Sequence, residues 1–156
     1  MKARSVSGPI PRRKHASETE KAYFTGFLDA RARFTAYIRS LKRRRNRQID
    51  TLVRIDSTNL DILLLLQSYF GGTVIVQNRS DVHRQKIYAW QLRDKNDIAY
   101  MIEQILPYLK LKRKQAALLM QYCKSRLEKI KEDPFVPISK HERELIMTLI
   151  DINRKK

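Results

Sequence analysis

Apolar positions along the chain change period several times, and each change marks an element. Tyr23, Phe24, Phe27, Leu28 and Ala30 recur at helical spacing. The helix they predict opens at Ser17, where Glu20 three residues later completes a capping-box pattern. From residue 33 the period drops to two. Phe34, Ala36 and Ile38 alternate with Arg33, Thr35, Tyr37 and Arg39, which predicts a strand with one apolar and one cationic-polar face. Lys42, Arg43, Arg44, Arg45 and Arg47 form a basic turn. A second strand sets Ile49, Thr51, Val53 and Ile55 against Gln48, Asp50, Leu52 and Arg54. The two strands make a hairpin with a basic tip.

Ser57-Thr-Asn-Leu60 opens a helix through Phe70 that is apolar almost all round, so it is predicted to be buried. Gly71-Gly72 ends it. Val74 and Val76, then Tyr88, Trp90 and Leu92, predict a second hairpin around the polar loop Asn78–Gln85. Helical spacing resumes at Asp97–Ile105 and breaks at Pro107. A long helix follows from about Lys112 to Ile130, and after Pro134 and Pro137 a last one from about Lys140 to Asn153. The order is an α+β pattern, αββαββα(α), with one copy of the opening helix and no internal repeat.

Charge alters this picture more than composition does. The chain has 156 residues, enough for one domain with a core, and carries 33 Lys and Arg against 16 Asp and Glu, a net charge of +17. Such a chain repels itself unless an anion neutralises it, and nucleic acid is the commonest such partner. No apolar run reaches the length of a membrane-spanning helix. A single cysteine, Cys123, excludes a disulfide framework and reads as core. His15, His83 and His141 show no metal-ligand spacing, so no metal site is expected from them.

Residues 1–18 hold five basic residues, two prolines and no acid before Glu18. They cannot fold alone and are read as a basic arm, with residues 19–156 as the single domain. An arm that orders on nucleic acid, a solvated tail and part of a transit signal are the three readings open to it.

Several segments together resemble the single-motif LAGLIDADG homing endonucleases. Phe24-Thr-Gly-Phe-Leu-Asp-Ala-Arg-Ala32 is similar to the family signature. Tyr69-Phe-Gly-Gly-Thr-Val, Tyr88-Ala-Trp-Gln-Leu, Ile105-Leu-Pro-Tyr-Leu-Lys-Leu-Lys112 with the residues after it, and Glu142-Arg-Glu-Leu-Ile146 with Asp151–Arg154 follow in the family's order. The resemblance implies a curved antiparallel sheet whose concave face lies along the major groove of DNA. The outward residues Arg33, Thr35, Tyr37, Arg39, Gln48, Asp50, Arg54, Asn78, Gln91 and Arg93 would then read bases. The tip residues Arg43, Arg44, Arg45 and Arg47 would hold phosphates, and Lys112 would also contact the nucleic acid.

The same resemblance implies two helices paired through small residues, here Gly26 and Ala30. The alternative for those two is close packing inside one domain. It also implies a divalent-metal nuclease whose metal-holding acid falls at the position of Arg31. Arginine cannot hold a cation. Asp29 matches a structural acid of the family, Ser57 stands where a polar residue, often Gln, is usual, and Lys112 is retained. Asp56 is a conceivable substitute ligand. Two Arg31 side chains about 6 Å apart at a two-fold axis would repel by about 3 kcal/mol at an effective dielectric of about 20.

The expectation is a nucleic-acid-binding protein that has lost cleavage and needs no cofactor. It would bind duplex DNA, or structured RNA such as intron RNA or rRNA in a ribonucleoprotein. It would act as a homodimer through the 22–32 helix or as a monomer within a ribonucleoprotein. The alternative is an active endonuclease that uses Mg²⁺. A basic membrane-surface protein is the third class, and the strand faces do not favour it. The expected setting is intracellular, in a mitochondrion, chloroplast, bacterium or phage.

Overall fold

The computed structural model describes residues 14–40, 47–77 and 85–155. Most of the basic arm, the tip residues Arg43, Arg44 and Arg45, and Asn78 lie outside the described residues.

The elements follow the predicted order. They are α1 (Glu18–Arg31), β1 (Arg33–Ser40), β2 (Arg47–Ser57), α2 (Leu60–Phe70), β3 (Thr73–Gln77), β4 (Ile87–Leu92), α3 (Lys95–Ile105), α4 (Arg113–Glu132) and α5 (Lys140–Arg154). A short 3₁₀ turn at Leu106–Tyr108 takes up Pro107 between α3 and α4. Among the described residues, four strands form one sheet in the order β1-β2-β4-β3, antiparallel at each of the three pairings.

Local chemistry sets the boundaries. Ser17 Oγ accepts the Glu20 N–H at 3.2 Å and Glu20 Oε2 accepts the Ser17 N–H at 2.9 Å, the reciprocal cap the sequence suggests. Ser139 and Glu142 repeat it at the start of α5. Gly71 and Gly72 both sit at positive φ, 82° and 84°, and turn the chain from α2 into β3. The Trp90 indole N–H donates to Gly71 O at 2.9 Å, pinning that turn to β4.

The helices cover one sheet face, and the core between them is continuous. Phe24 of α1 lies 4.8 Å from the Tyr69 ring and 6.4 Å from that of Phe70, centroid to centroid. Phe34, Val53, Ile55, Val74, Trp90 and Leu92 supply the sheet side, all essentially buried. Cys123 is buried among them, and burial pushes its thiol up to about 12, which makes it packing rather than chemistry. Glu142 is wholly buried, yet the Ser139 N–H and Lys129 Nζ at 2.9 and 3.0 Å keep it ionised against its burial.

Two expectations need correction. The helix α2 is not buried all round: Leu65 and Asp61 are exposed, because only the side facing the sheet, α1 and α3 has a layer to pack on. Tyr23 keeps the helical spacing of the core residues but is 68% exposed. It belongs with Ala22, Gly26 and Ala30 to an open side of α1. The reading of Gly26 and Ala30 as packing inside one domain therefore fails.

Candidate nucleic-acid interface

Period-two alternation puts one set of strand residues on the core and the other on the open sheet face. The second set contains Arg33, Thr35, Tyr37 and Arg39 of β1 and Gln48, Asp50 and Arg54 of β2. Gln91 stands on it from β4, and Arg93 follows directly after that strand. Register ties these into rows. Arg33 pairs with Arg54, Arg54 with Gln91, and Gln91 with Thr73, so one row crosses all four strands. At about 4.8 Å per strand it spans about 14 Å, comparable with the width of a major groove, about 12 Å.

Sequence reasoning places most of this face but omits its far edge. Thr73, Ile75 and Gln77 share it, and the inward Val74 and Val76 already carry that signal. Leu52 shares the outward phase, as its alternation predicts, but is only 4% exposed, so the face has an apolar floor beneath its polar groups. Arg47 opens β2 opposite Ser40.

Several arginines on the face are held by acceptors. Arg39 Nη2 donates to Gln48 Oε1 at 2.9 Å, and its Nε lies 3.3 Å from Asp50 Oδ2. Arg54 Nε donates to Asp56 Oδ1 at 2.9 Å. Arg93 Nη2 donates to Gln91 Oε1 at 3.3 Å. Arg33 and Arg54 face each other across the β1–β2 register, a like-charge pair that costs stability until an anion meets it.

At the end of α1 the chemistry is different. Asp29 is 8% exposed, and both its oxygens are occupied. They accept the backbone N–H groups of Lys110 at 3.0 Å, Leu111 at 2.9 and 3.0 Å, and Lys112 at 2.8 Å. Burial pushes this carboxyl up, but the three N–H groups outweigh it and hold the group below the usual carboxylate range. Lys112 Nζ turns to Ala32 O, across the α1–β1 junction. Two residues beyond Asp29, Arg31 is exposed at the last position of α1. A cavity of about 240 Å³ opens beside this junction, lined by Arg33, Thr35, Tyr37, Lys112, Gln115 and Asn153. Asn153 reaches it from α5, its Nδ2 donating to Phe34 O at 3.0 Å. No local pattern could have placed Gln115 and Asn153 there.

A divalent metal does not fit this terminus. The nearest acid is spent on α4, and the position two residues on is a cation. Asp56 is paired with Arg54, and Ser57 Oγ accepts the Asn59 N–H at 3.1 Å in the run that caps α2.

No family model and no curated protein matches the sequence. Solved structures do. The homing endonuclease I-CvuI in complex with its target is 27% identical, with 88% of this chain and 84% of that chain covered and a TM-score of 0.68. I-CvuI on the I-CreI target with magnesium, in which the DNA is not cleaved, is 28% identical over 85% and 76% of the two chains, with a TM-score of 0.60. The archaeal intron-encoded endonuclease I-Vdi141I, complexed with DNA, is 15% identical over 89% and 87%, with a TM-score of 0.69, a likeness of fold. The chain has the fold of the LAGLIDADG homing endonucleases. Its single-domain size fits the single-motif type.

Proposed function

We propose that this chain binds duplex DNA along its open sheet face and does not cut it. The reading rests on one pairing of features. A basic, polar sheet face of groove width stands beside an α1 terminus where Asp29 is consumed by backbone N–H groups and Arg31 replaces an acid. The face supplies what recognition requires: arginines for guanine, Gln for adenine, and cations for phosphates. The terminus supplies no acid that could gather the metal ions of phosphodiester cleavage. On DNA, two copies would pair through Ala22, Tyr23, Gly26 and Ala30, with a phosphate backbone offsetting the two Arg31 charges. The setting we propose is intracellular, in an organelle, a bacterium or a phage.

The test is selection of a site from random duplexes by the full chain, followed by incubation of a plasmid bearing that site with Mg²⁺. Tight, salt-sensitive binding with intact supercoiled plasmid is expected. Specific double-strand cutting would overturn the loss of cleavage. If intron or ribosomal RNA binds and duplex DNA fails to compete with it, the partner is structured RNA instead.

A further inference from the structure

We infer that Arg54 reads a guanine through the major groove, with Asp56 as the residue that positions it. The inference rests on the proposal that the open sheet face lies on duplex DNA. Arg54 stands on β2, an inner strand flanked by β1 and β4, so its position is central rather than at the rim. Its side chain is 25% exposed, against 55% for Arg39 toward the hairpin tip. Rim cations meet phosphates, and groups at the centre of such a face meet base edges.

The ion pair decides what Arg54 can do there. Residues two apart on a strand share a face, so Asp56 lies beside Arg54 in the same direction. Among the described residues, the Arg54 guanidinium is bonded through Nε alone, to Asp56 Oδ1 at 2.9 Å. This leaves the Nη1 and Nη2 N–H groups and restrains the plane of the fork. Two parallel donors match the paired N7 and O6 acceptors of guanine, whereas adenine offers an acceptor and a donor. The adjacent Arg33 supplies positive potential, and the cost of holding two arginines in register falls when an electron-rich base edge or phosphate arrives. Arg39, by contrast, spends Nε and Nη2 on Asp50 and Gln48.

The experiment compares the wild-type chain, Arg54→Lys and Asp56→Asn on duplexes selected by the wild type. A guanine should dominate one position of each half-site. Arg54→Lys keeps the charge but loses the fork, so discrimination at that position should fall about 5- to 150-fold, with non-specific duplex binding changed less than about threefold. Asp56→Asn should weaken the same discrimination by a smaller factor and leave the other positions alone, which a purely structural role would not do. Replacing that guanine by 7-deazaguanine tests the wild-type chain directly, without relying on a variant that folds. A selected site without such a guanine, or a preference that survives both Arg54→Lys and 7-deazaguanine, would overturn the inference and leave duplex binding standing. Binding to RNA alone would overturn both.

Discussion

The Asp29 carboxylate accepts the backbone N–H of Lys112 at 2.8 Å and so joins the end of α1 to the start of α4. Three successive N–H groups converge on this one side chain, and the first turn of α4 has no side-chain cap of its own. Asp29 therefore anchors the turn that leads into α4, holding residues 81 to 83 positions away in sequence. Lys112 closes the loop from the other side by donating its ammonium group to Ala32 O. The geometry of the α1–β1 junction thus depends on an acid that has no capacity left for a metal.

Replacing Asp29 by Asn keeps the shape and removes the charge. The amide turns a donor toward N–H groups, so the variant should lose about 1–3 kcal/mol. The sign of the pH effect follows from the depressed carboxyl. Its folded-state value lies below the unfolded one, so its stabilisation is complete at neutral pH and fades as pH falls below about 4. Urea melts at pH 7 and pH 3 should show the gap between wild type and variant narrowing in acid. A gap that is constant or widens would mean that the ionised carboxylate is not what holds α4.

Gly26 offers a clean separation of folding from assembly. It is exposed on α1, and a Cβ built there meets nothing within 4 Å. Gly26→Leu should therefore leave the monomer at least as stable, with a gain of up to about 1 kcal/mol from helix propensity. If two copies pair along α1 on DNA, the bulk of leucine blocks the approach. The protected length should fall from about 20 to about 10 base pairs. An unchanged footprint would place the pairing elsewhere.

The strand faces were legible because each core residue in a half-buried strand implies its outward neighbour. Phe34 and Ala36 locate Thr35 and Tyr37 without any tertiary knowledge. Caps were legible for the same local reason, as at Ser17 and Glu20. Tyr23 marks the limit of local spacing. Its spacing matches Phe24 and Phe27, but only packing decides which side of α1 meets Tyr69 and Phe70 and which stays open. The burial of α2 was overestimated because leucine content does not reveal how many layers surround a helix. The α1 terminus was half legible. Arg31 is visible as a misplaced cation, but the capture of Asp29 by residues 110–112, and the approach of Asn153 to Phe34, are contacts across 81 to 119 residues.

The two glycines after α2 should not tolerate alanine equally. Both have positive φ, so each Gly→Ala carries a strain cost of about 1 kcal/mol or more. At Gly71 the added Cβ would meet only the Asp97 carboxyl at ordinary contact distance, 3.7 Å. At Gly72 it would lie 2.4 Å from Gln91 O, inside backbone of the neighbouring strand. Gly72→Ala should therefore be the more destabilising by about 1–3 kcal/mol, the range of an overpacked site. Because Gln91 belongs to the row containing Arg54, it should also disturb DNA selectivity. Thermal melts of the two variants side by side would check the order, and equal losses would refute the clash.

Arg31 separates affinity from sequence reading. It is exposed and lies beyond the sheet rows, at the end of α1, where a duplex backbone would pass between two paired copies. A phosphate contact there releases counterion, so Arg31→Ala should lower the slope of log K against log salt by about 0.9 for each contact removed. A dimer would lose two such contacts. The base preferences at each position should stay as in the wild type, because a phosphate contact carries no sequence information. Binding measured between about 50 and 200 mM salt, together with a repeated selection, distinguishes the outcomes. A changed sequence preference would make Arg31 a reader of bases. An unchanged slope would remove it from the interface, and would leave its positive charge at the end of α1 with no ligand to answer it.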